Sequence, residues 1–322
     1  MHITRRTLIA GAGASALLPA FTVRSQANWP TKPVRFVVPF SAGGANDLLG
    51  RAAAEGAAKL LGQQVIIDNK PGAGAALGTD IVAKAAPDGY TFLISAAGVV
   101  SNGMIRAVPY KDSDLVPVAM VGLAPSVIVV PASSPYKDLK EFVAASQKGA
   151  GLHFATAGTG STPHFVEGLL TTRYGAKLDT VPYKSGSESI NAVLGGQVDA
   201  TSEASIVVLP HVKSGRLRAL ATTWTQRISS YPQLPTAVEL GFPDIRIAHW
   251  AGVHAPAGTP EAIMDKLAAA VDGAMKDAAI AERLKAMGIE PIGGTRASFA
   301  KFIDEERARL GAVVKATGMK AD

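Results

Sequence analysis

The chain has 322 residues, no cysteine, and a formal net charge of +6 from 32 Lys and Arg against 26 Asp and Glu. This length accommodates two domains of ordinary size, and the absence of cysteine excludes disulfides and thiol chemistry. The mild positive excess never gathers into a basic run of the kind that binds nucleic acid, and beyond residue 27 no uncharged stretch reaches the ~20 apolar residues of a membrane span.

Residues 1–27 read as an export signal. Arg5 and Arg6 precede an apolar, Gly- and Ala-rich middle, and Ser25-Gln26-Ala27 supplies small residues for cleavage after Ala27. Thr4-Arg5-Arg6-Thr7-Leu8 also fits a twin-arginine signal, which implies export after folding. A retained membrane anchor is the alternative, but the apolar run is short for a span. The expected product is soluble and exported.

Downstream, strands at Val34–Val38, 64–69 and 90–96 alternate with helical patterns at 47–61 and 77–86. This β-α-β-α-β order predicts an α/β fold with a parallel sheet. The valine-rich, proline-broken segment Leu115–Pro131 reads as two strands that carry the chain into a second domain. That domain repeats the pattern: strands near 151–158, 178–184 and 198–203, a further strand at 216–224, and helices after "TGSTP" and "SGSES". Ala248–Pro256 reads as the segment that crosses back. Thr259 and Pro260 then open a helix as cap and first helical residue, running to about 274. A last amphipathic helix, 298–317, is expected on the first domain. The organisation predicted is an α/β, two-domain architecture: residues 28–124 with 250–322 form domain 1, and residues 125–249 form domain 2. Two crossings between them make a hinge with a ligand cleft beside it.

Two loops are the candidate site. "VVPFSAGGAND" leaves the first strand and "TAGTGSTPH" occupies the matching place in the second half. Successive backbone N–H groups beside glycines, at a helix N-terminus, can hold an anion without side-chain bulk. Thr159, Ser161, Thr162 and His164 add side-chain donors. Asp47 reads foremost as a cap for its helix. Glu203 reads either as a cleft acid that receives an amine or binds water, or as an exposed surface acid.

Motifs of catalysis are absent. Neither a G-x-S-x-G elbow nor a Walker A sequence occurs, and "PGAGAALG" reads as a structural turn rather than a dinucleotide fingerprint. His153, His164, His211, His249 and His254 show no metal-ligand spacing. No cofactor, metal or catalytic residue is expected. An exported hydrolase using Ser161 with His164 is a rival reading, but only three positions separate the two and no third group is evident.

The ordered motifs carry a resemblance. "PFSAGGAND" with Arg51, "NKPGAGAALGTDIVAKAAPDGYT", "GTGSTPH", "VPYKSGSESINAVLGGQVDA", "SGRLRALA", "LPTAVELGF", "APAGTPEAI" and "GTRASFAKFIDEE" together resemble the Bug-type extracytoplasmic solute receptors of tripartite tricarboxylate transporters. The resemblance implies a periplasmic-binding-protein fold of type II-like architecture that closes on a small carboxylate. It implies a cradle of Phe40, Ser41, Ala42, Gly43, Gly44 and Asp47 facing Thr159, Gly160, Ser161 and His164, with Ser95, Ala96, Ala97, Glu203 and Ala204 shaping the far end. It implies a periplasmic location, and inner-membrane transporter subunits or a sensory protein as partners. Two departures fall where ligand choice would be set. Glu203 stands where relatives carry aspartate, and the segment after residue 95 is poor in hydroxyls. Ala96, Ala97 and Val99 suggest an aromatic or aliphatic ligand body. A non-carboxylate solute on the same backbone cradle is the remaining alternative.

Overall fold

A computed structural model describes residues 28–320, so the expected export signal lies outside the described residues. Strand β1 (Val34–Val38), helix α1 (Ala45–Leu61), β2 (Val65–Asn69), α2 (Ala76–Ala83) and β3 (Thr91–Ser95) follow the expected order. β1 lies parallel to both β2 and β3. Val34, Phe36, Val37 and Val38 are all fully buried, the near-continuous apolar run of a strand covered on both faces. Helix α3 (Gly98–Ile105) starts just past β3, so the connection after Ser95 is only Ala96 and Ala97.

The largest departure is β4 (Leu115–Pro131). It is one strand of 17 residues, not two. Residues 115–125 pair antiparallel with β9 (Ala248–Pro256). Residues 126–131 pair antiparallel with β7 (Ala200–Ala204) and β8 (Leu217–Thr222). Pro117 falls beside a register shift and Pro125 at the change of partner. At such places a missing N–H breaks no ladder, so neither proline ends the strand.

The second half holds α4 (Leu139–Lys148), β5 (Leu152–Thr156), α5 (Thr162–Tyr174), β6 (Leu178–Pro182), α6 (Gly186–Leu194), β7, α7 (Ser205–Lys213) and β8. β5 lies parallel to β6 and β7, repeating the first half. Helix α4 is capped by Asp138, and helix α7 starts where β7 stops and contains Pro210. β9 then returns antiparallel between β3 and β4.

The chain closes with α8 (Glu261–Lys276), α9 (Ala278–Ala286), β10 (Glu290–Pro291), which pairs with β4, and α10 (Arg296–Thr317). Thr259 does not cap α8. Pro260 takes the cap position in an extended conformation, and the Thr259 hydroxyl donates to the Pro256 carbonyl at 2.8 Å. α1 lies on α8 so closely that a side chain at Gly56 would overlap Ala274. α10 packs on β4, α3 and α5, and so touches both halves rather than the first alone.

The sheet order is β2-β1-β3-β9-β4-β7-β5-β6, with β8 and β10 attached to β4. Two parallel α/β halves thus share one sheet through β4 and β9. The C-terminal ends of β1 and β3, and of β5 and β7, carry the loops singled out in the sequence, the place where α/β sheets bind ligands.

Candidate functional site

The first loop begins where Pro39 ends β1. Ser41, Ala42 and Gly43 are exposed, and a Cβ at Gly43 (φ +82°) would meet nothing within 4 Å. Gly44 is the cap of α1 and no side chain caps it. Asp47 reaches back instead. Its Oδ2 accepts from the Gly43 N–H and from Arg51 Nε, both at 2.9 Å, and its Oδ1 accepts from Asn69 Nδ2 at 2.9 Å. Asn69 Nδ2 also donates to the Phe40 carbonyl at 3.0 Å. Burial of Asp47 pushes its carboxyl up, but the bonds from Arg51, Gly43 and Asn69 outweigh this and hold it below the usual carboxylate value. Asp47 is 1% exposed and its acceptors are spent on the loop. It organises the cradle, and the Gly43 N–H is committed with it.

Ser95, Ala96 and Ala97 are buried beside this loop. Ser95 Oγ donates to the Gly252 carbonyl at 3.1 Å and meets His254 Nδ1 at 2.7 Å. Burial pushes His254 down to about 3, so the imidazole is neutral; with the Ser95 proton given to Gly252, the tautomer that fits carries its proton on Nδ1 and donates to Ser95 Oγ. Asn46 Nδ2 donates to the Trp250 carbonyl at 2.9 Å, fastening α1 to β9. The hydroxyl missing after β3 enters one helical turn later: Ser101 and Asn102 of α3 are buried, and Ser101 Oγ and Asn102 Oδ1 have no partner.

In the second loop Gly158 and Gly160 have positive φ, and Ser161 is the cap of α5. Ser161 Oγ donates to the Gly158 carbonyl at 2.6 Å. His164 Nδ1 accepts from the Gly160 N–H at 3.2 Å, and burial lowers its pKa. Each side chain thus serves its own loop. The serine–histidine bond that a nucleophile would need is missing.

The loop's closest neighbour is not "PFSAGGAND". Arg106, at the end of α3, donates to the Thr159 carbonyl at 2.8 Å and to the Ala73 carbonyl at 3.1 Å. Asn102 Nδ2 donates to the Gly74 carbonyl at 3.0 Å, and a side chain at Gly160 would overlap Ile105. The "PGAGAALG" turn, expected to be structural only, therefore sits between the halves. Ala73 and Ala75 there have φ of +48° and +78°, a conformation that costs ~1–3 kcal/mol per residue outside glycine. The signal for this second anchor was the polar Ser101-Asn102 pair inside an apolar helix that ends in arginine.

Glu203 and Ala204 end β7. Glu203 is 3% exposed, which removes the surface-acid reading. Its carboxyl abuts Gly186 at the start of α6, and His249 Nε2 lies 3.9 Å from its Oε2. Thr156 ends the adjacent β5 with its hydroxyl buried and without a partner, and Glu203 Oε1 is likewise without one. A separate cavity of about 380 Å3, lined by Leu123, Trp224, Phe299 and Phe302 against α10, contains none of these residues. Among the described residues no group of three or more His, Cys, Asp or Glu could hold a metal, and no helix is long and apolar enough to cross a membrane.

Residues 49–319 match the tripartite tricarboxylate transporter family receptor. The chain is 36% identical over 330 residues to protein BugT of Bordetella pertussis, covering 99% of each. A Rhodopseudomonas palustris protein solved with adipate shares 31% identity at a TM-score of 0.86, covering 91% of this chain and 99% of that one. MatC of the same organism, solved with bound malate, shares 31% identity at 0.83, covering 89% and 100%. The fold is thus that of the periplasmic binding proteins.

Proposed function

On the premise that the chain belongs to the tripartite tricarboxylate transporter receptor family, we propose that it captures a small carboxylate between its two halves and presents it to a membrane partner. The family's members are solute-binding receptors rather than enzymes. The observation that carries the reading for this chain is that buried polar atoms without partners lie on the elements that carry the loops: Ser101 Oγ and Asn102 Oδ1 on α3, Thr156 Oγ1 at the end of β5 and Glu203 Oε1 near the end of β7. Buried polar atoms are rarely left unmatched, and a polar ligand would match them. The solved relatives hold adipate and malate, both carboxylates.

In this reading Ser41, Ala42 and Gly44 offer backbone donors at the start of α1, with Phe40 beside them and Asp47 with Arg51 holding the loop in shape. Thr159, Gly160, Ser161 and His164 form the opposing edge. Ser95 holds the floor through β9, while Ala96, Ala97 and Ala204 bound the ligand body. The moving bodies are residues 28–124 with 250–322 and residues 125–249, hinged where β4 changes partner. Residues 1–27 direct the chain to the periplasm, where inner-membrane transporter subunits take the ligand.

The test is a mass spectrum of the small molecule released on denaturing the purified mature chain, followed by calorimetry with the compound found. A carboxylate that binds reversibly and unchanged is expected. A neutral solute, or turnover of the compound, overturns the proposal.

A further inference from the structure

The cavity against α10 belongs to neither loop and has no part in the carboxylate reading. It measures about 380 Å3, within the roughly 300–1,000 Å3 of small-molecule sites. Met120 and Leu123 of β4, where that strand pairs with β9, and Phe299 and Phe302 of α10 contribute its apolar walls. Trp224, just past β8 of the second half, lines it as well, so the cavity spans the two halves. Ile292, 48% exposed, and the exposed Ser298 complete the lining and mark its mouth.

The aromatic wall is preformed. Phe299 fills the space that a Cβ at Gly252 would need, so α10 lies directly on β9. Trp250 meets Phe302 edge-on, with ring centroids 5.4 Å apart, and Phe299 stacks on Phe302 at 6.3 Å with 17° between the planes. The Trp250 indole N–H donates to Glu306 Oε2 at 3.0 Å. Rings held in this way need little ordering when a ligand arrives.

The charges in the lining select the occupant. Buried Glu306 is paired with Arg309, which also donates to the Arg246 carbonyl ahead of β9. Exposed Glu305 lies 3.8 Å from Lys301. Each charge thus already faces an opposite one. A charged ligand would leave an unmatched charge beside apolar walls, which is costly, whereas a neutral ring gains stacking and edge contacts.

We propose that this cavity is a second ligand site, one that takes a neutral, ring-bearing apolar molecule. The occupant touches Trp224 and α10 together, so it ties the second half to the C-terminal helix. It acts as an effector site apart from the cleft, because a ligand that contacts both halves favours the arrangement in which those contacts exist.

N-phenylnaphthylamine, a neutral fluorophore that brightens in apolar surroundings, is titrated into residues 28–322. Anilinonaphthalenesulfonate, the same ring skeleton with an added anionic group, is the comparison. The neutral probe should saturate and bind about tenfold or more tighter than the sulfonate, because burying the unmatched charge is penalised. Ile292→Trp and Ser298→Trp, both at exposed positions, should each fill the mouth and weaken the neutral probe about tenfold. Leu60→Trp, at an exposed position on α1, should leave it unchanged. Hydrogen exchange with the neutral probe bound should slow both around Trp224 and in α10. Binding that ignores both mouth variants, or a sulfonate that binds as tightly, overturns the site. Slowing confined to α10 overturns its effector role. Absence of binding overturns the whole inference, and each of these results leaves the receptor reading standing.

Discussion

The guanidinium of Arg106 donates to the Thr159 carbonyl at 2.8 Å, which joins the end of α3 in the first half to the glycine loop of the second. Its second terminal nitrogen donates to the Ala73 carbonyl at 3.1 Å, so one side chain fixes both rims. In the proposed closure this bond forms as the halves meet and breaks as they part. Hydrogen bonds to charged groups contribute ~1.5–3 kcal/mol, less where water reaches them, as it does at this half-buried residue. Arg106→Gln is expected to weaken ligand binding about tenfold, mainly through faster release, with little change in melting temperature. Stopped-flow dissociation of the bound carboxylate measures this, and an unchanged off-rate counts against the bridge.

The two glycines of the loops should respond differently to the same change. Gly43 and Gly160 share a positive φ, but only Gly160 faces a neighbour, Ile105. Gly43→Ala is expected to cost ~1 kcal/mol of stability from backbone strain alone. Gly160→Ala adds a steric block between the halves and should lose binding by far more than it loses stability. Gly160→Val should abolish binding with the fold retained. Calorimetry beside thermal melts separates the two quantities.

Asp47 makes a pH prediction. Its folded pKa is depressed, so its contribution is complete above the unfolded value of ~3.9 and disappears as pH falls through the folded one. Asp47→Asn should therefore melt lower than the natural protein at pH 7, with the gap closing on the acid side of about pH 4. A constant gap across that range would show that shape rather than charge holds the loop.

His254 shifts stability in a different window. Burial, aided by Arg307, depresses its pKa to about 3, so the unfolded chain takes up a proton below ~6.5 that the folded chain refuses. Stability is then lost as pH falls from about 6.5 toward 3. His254→Gln should be less stable at pH 8, where the Ser95 bond is weakened, yet should show a shallower decline on acidification. Melting temperatures of both proteins between pH 8 and pH 4 test this.

Much of the architecture is legible locally. The 3.6-residue and two-residue periods, the glycine turns and the apolar run of Val34–Val38 fix the repeated β-α-β order, because helix and strand preferences act over a few neighbouring residues. Glycine's access to positive φ likewise marks both loops before any fold is known. What periodicity could not reveal depended on distant partners. β4 continues through two prolines because β9, β7 and β8 exchange places along it.

The same division holds at the site. The sequence alone determined that glycine-rich loops would end corresponding strands in two similar halves, and that few side chains there could do chemistry. Only the tertiary structure decided that Asp47 turns inward to Gly43, Arg51 and Asn69, and that the "PGAGAALG" turn meets Thr159 through Arg106. Only it decided that Glu203 is buried without a cation. The physical reason is that charge state and hydrogen-bond partnership are set by whatever comes within a few ångströms, and beyond near neighbours such as Gly43 and Arg51 that includes residues tens of positions away, as Asn69 is from Asp47 and Thr159 from Arg106.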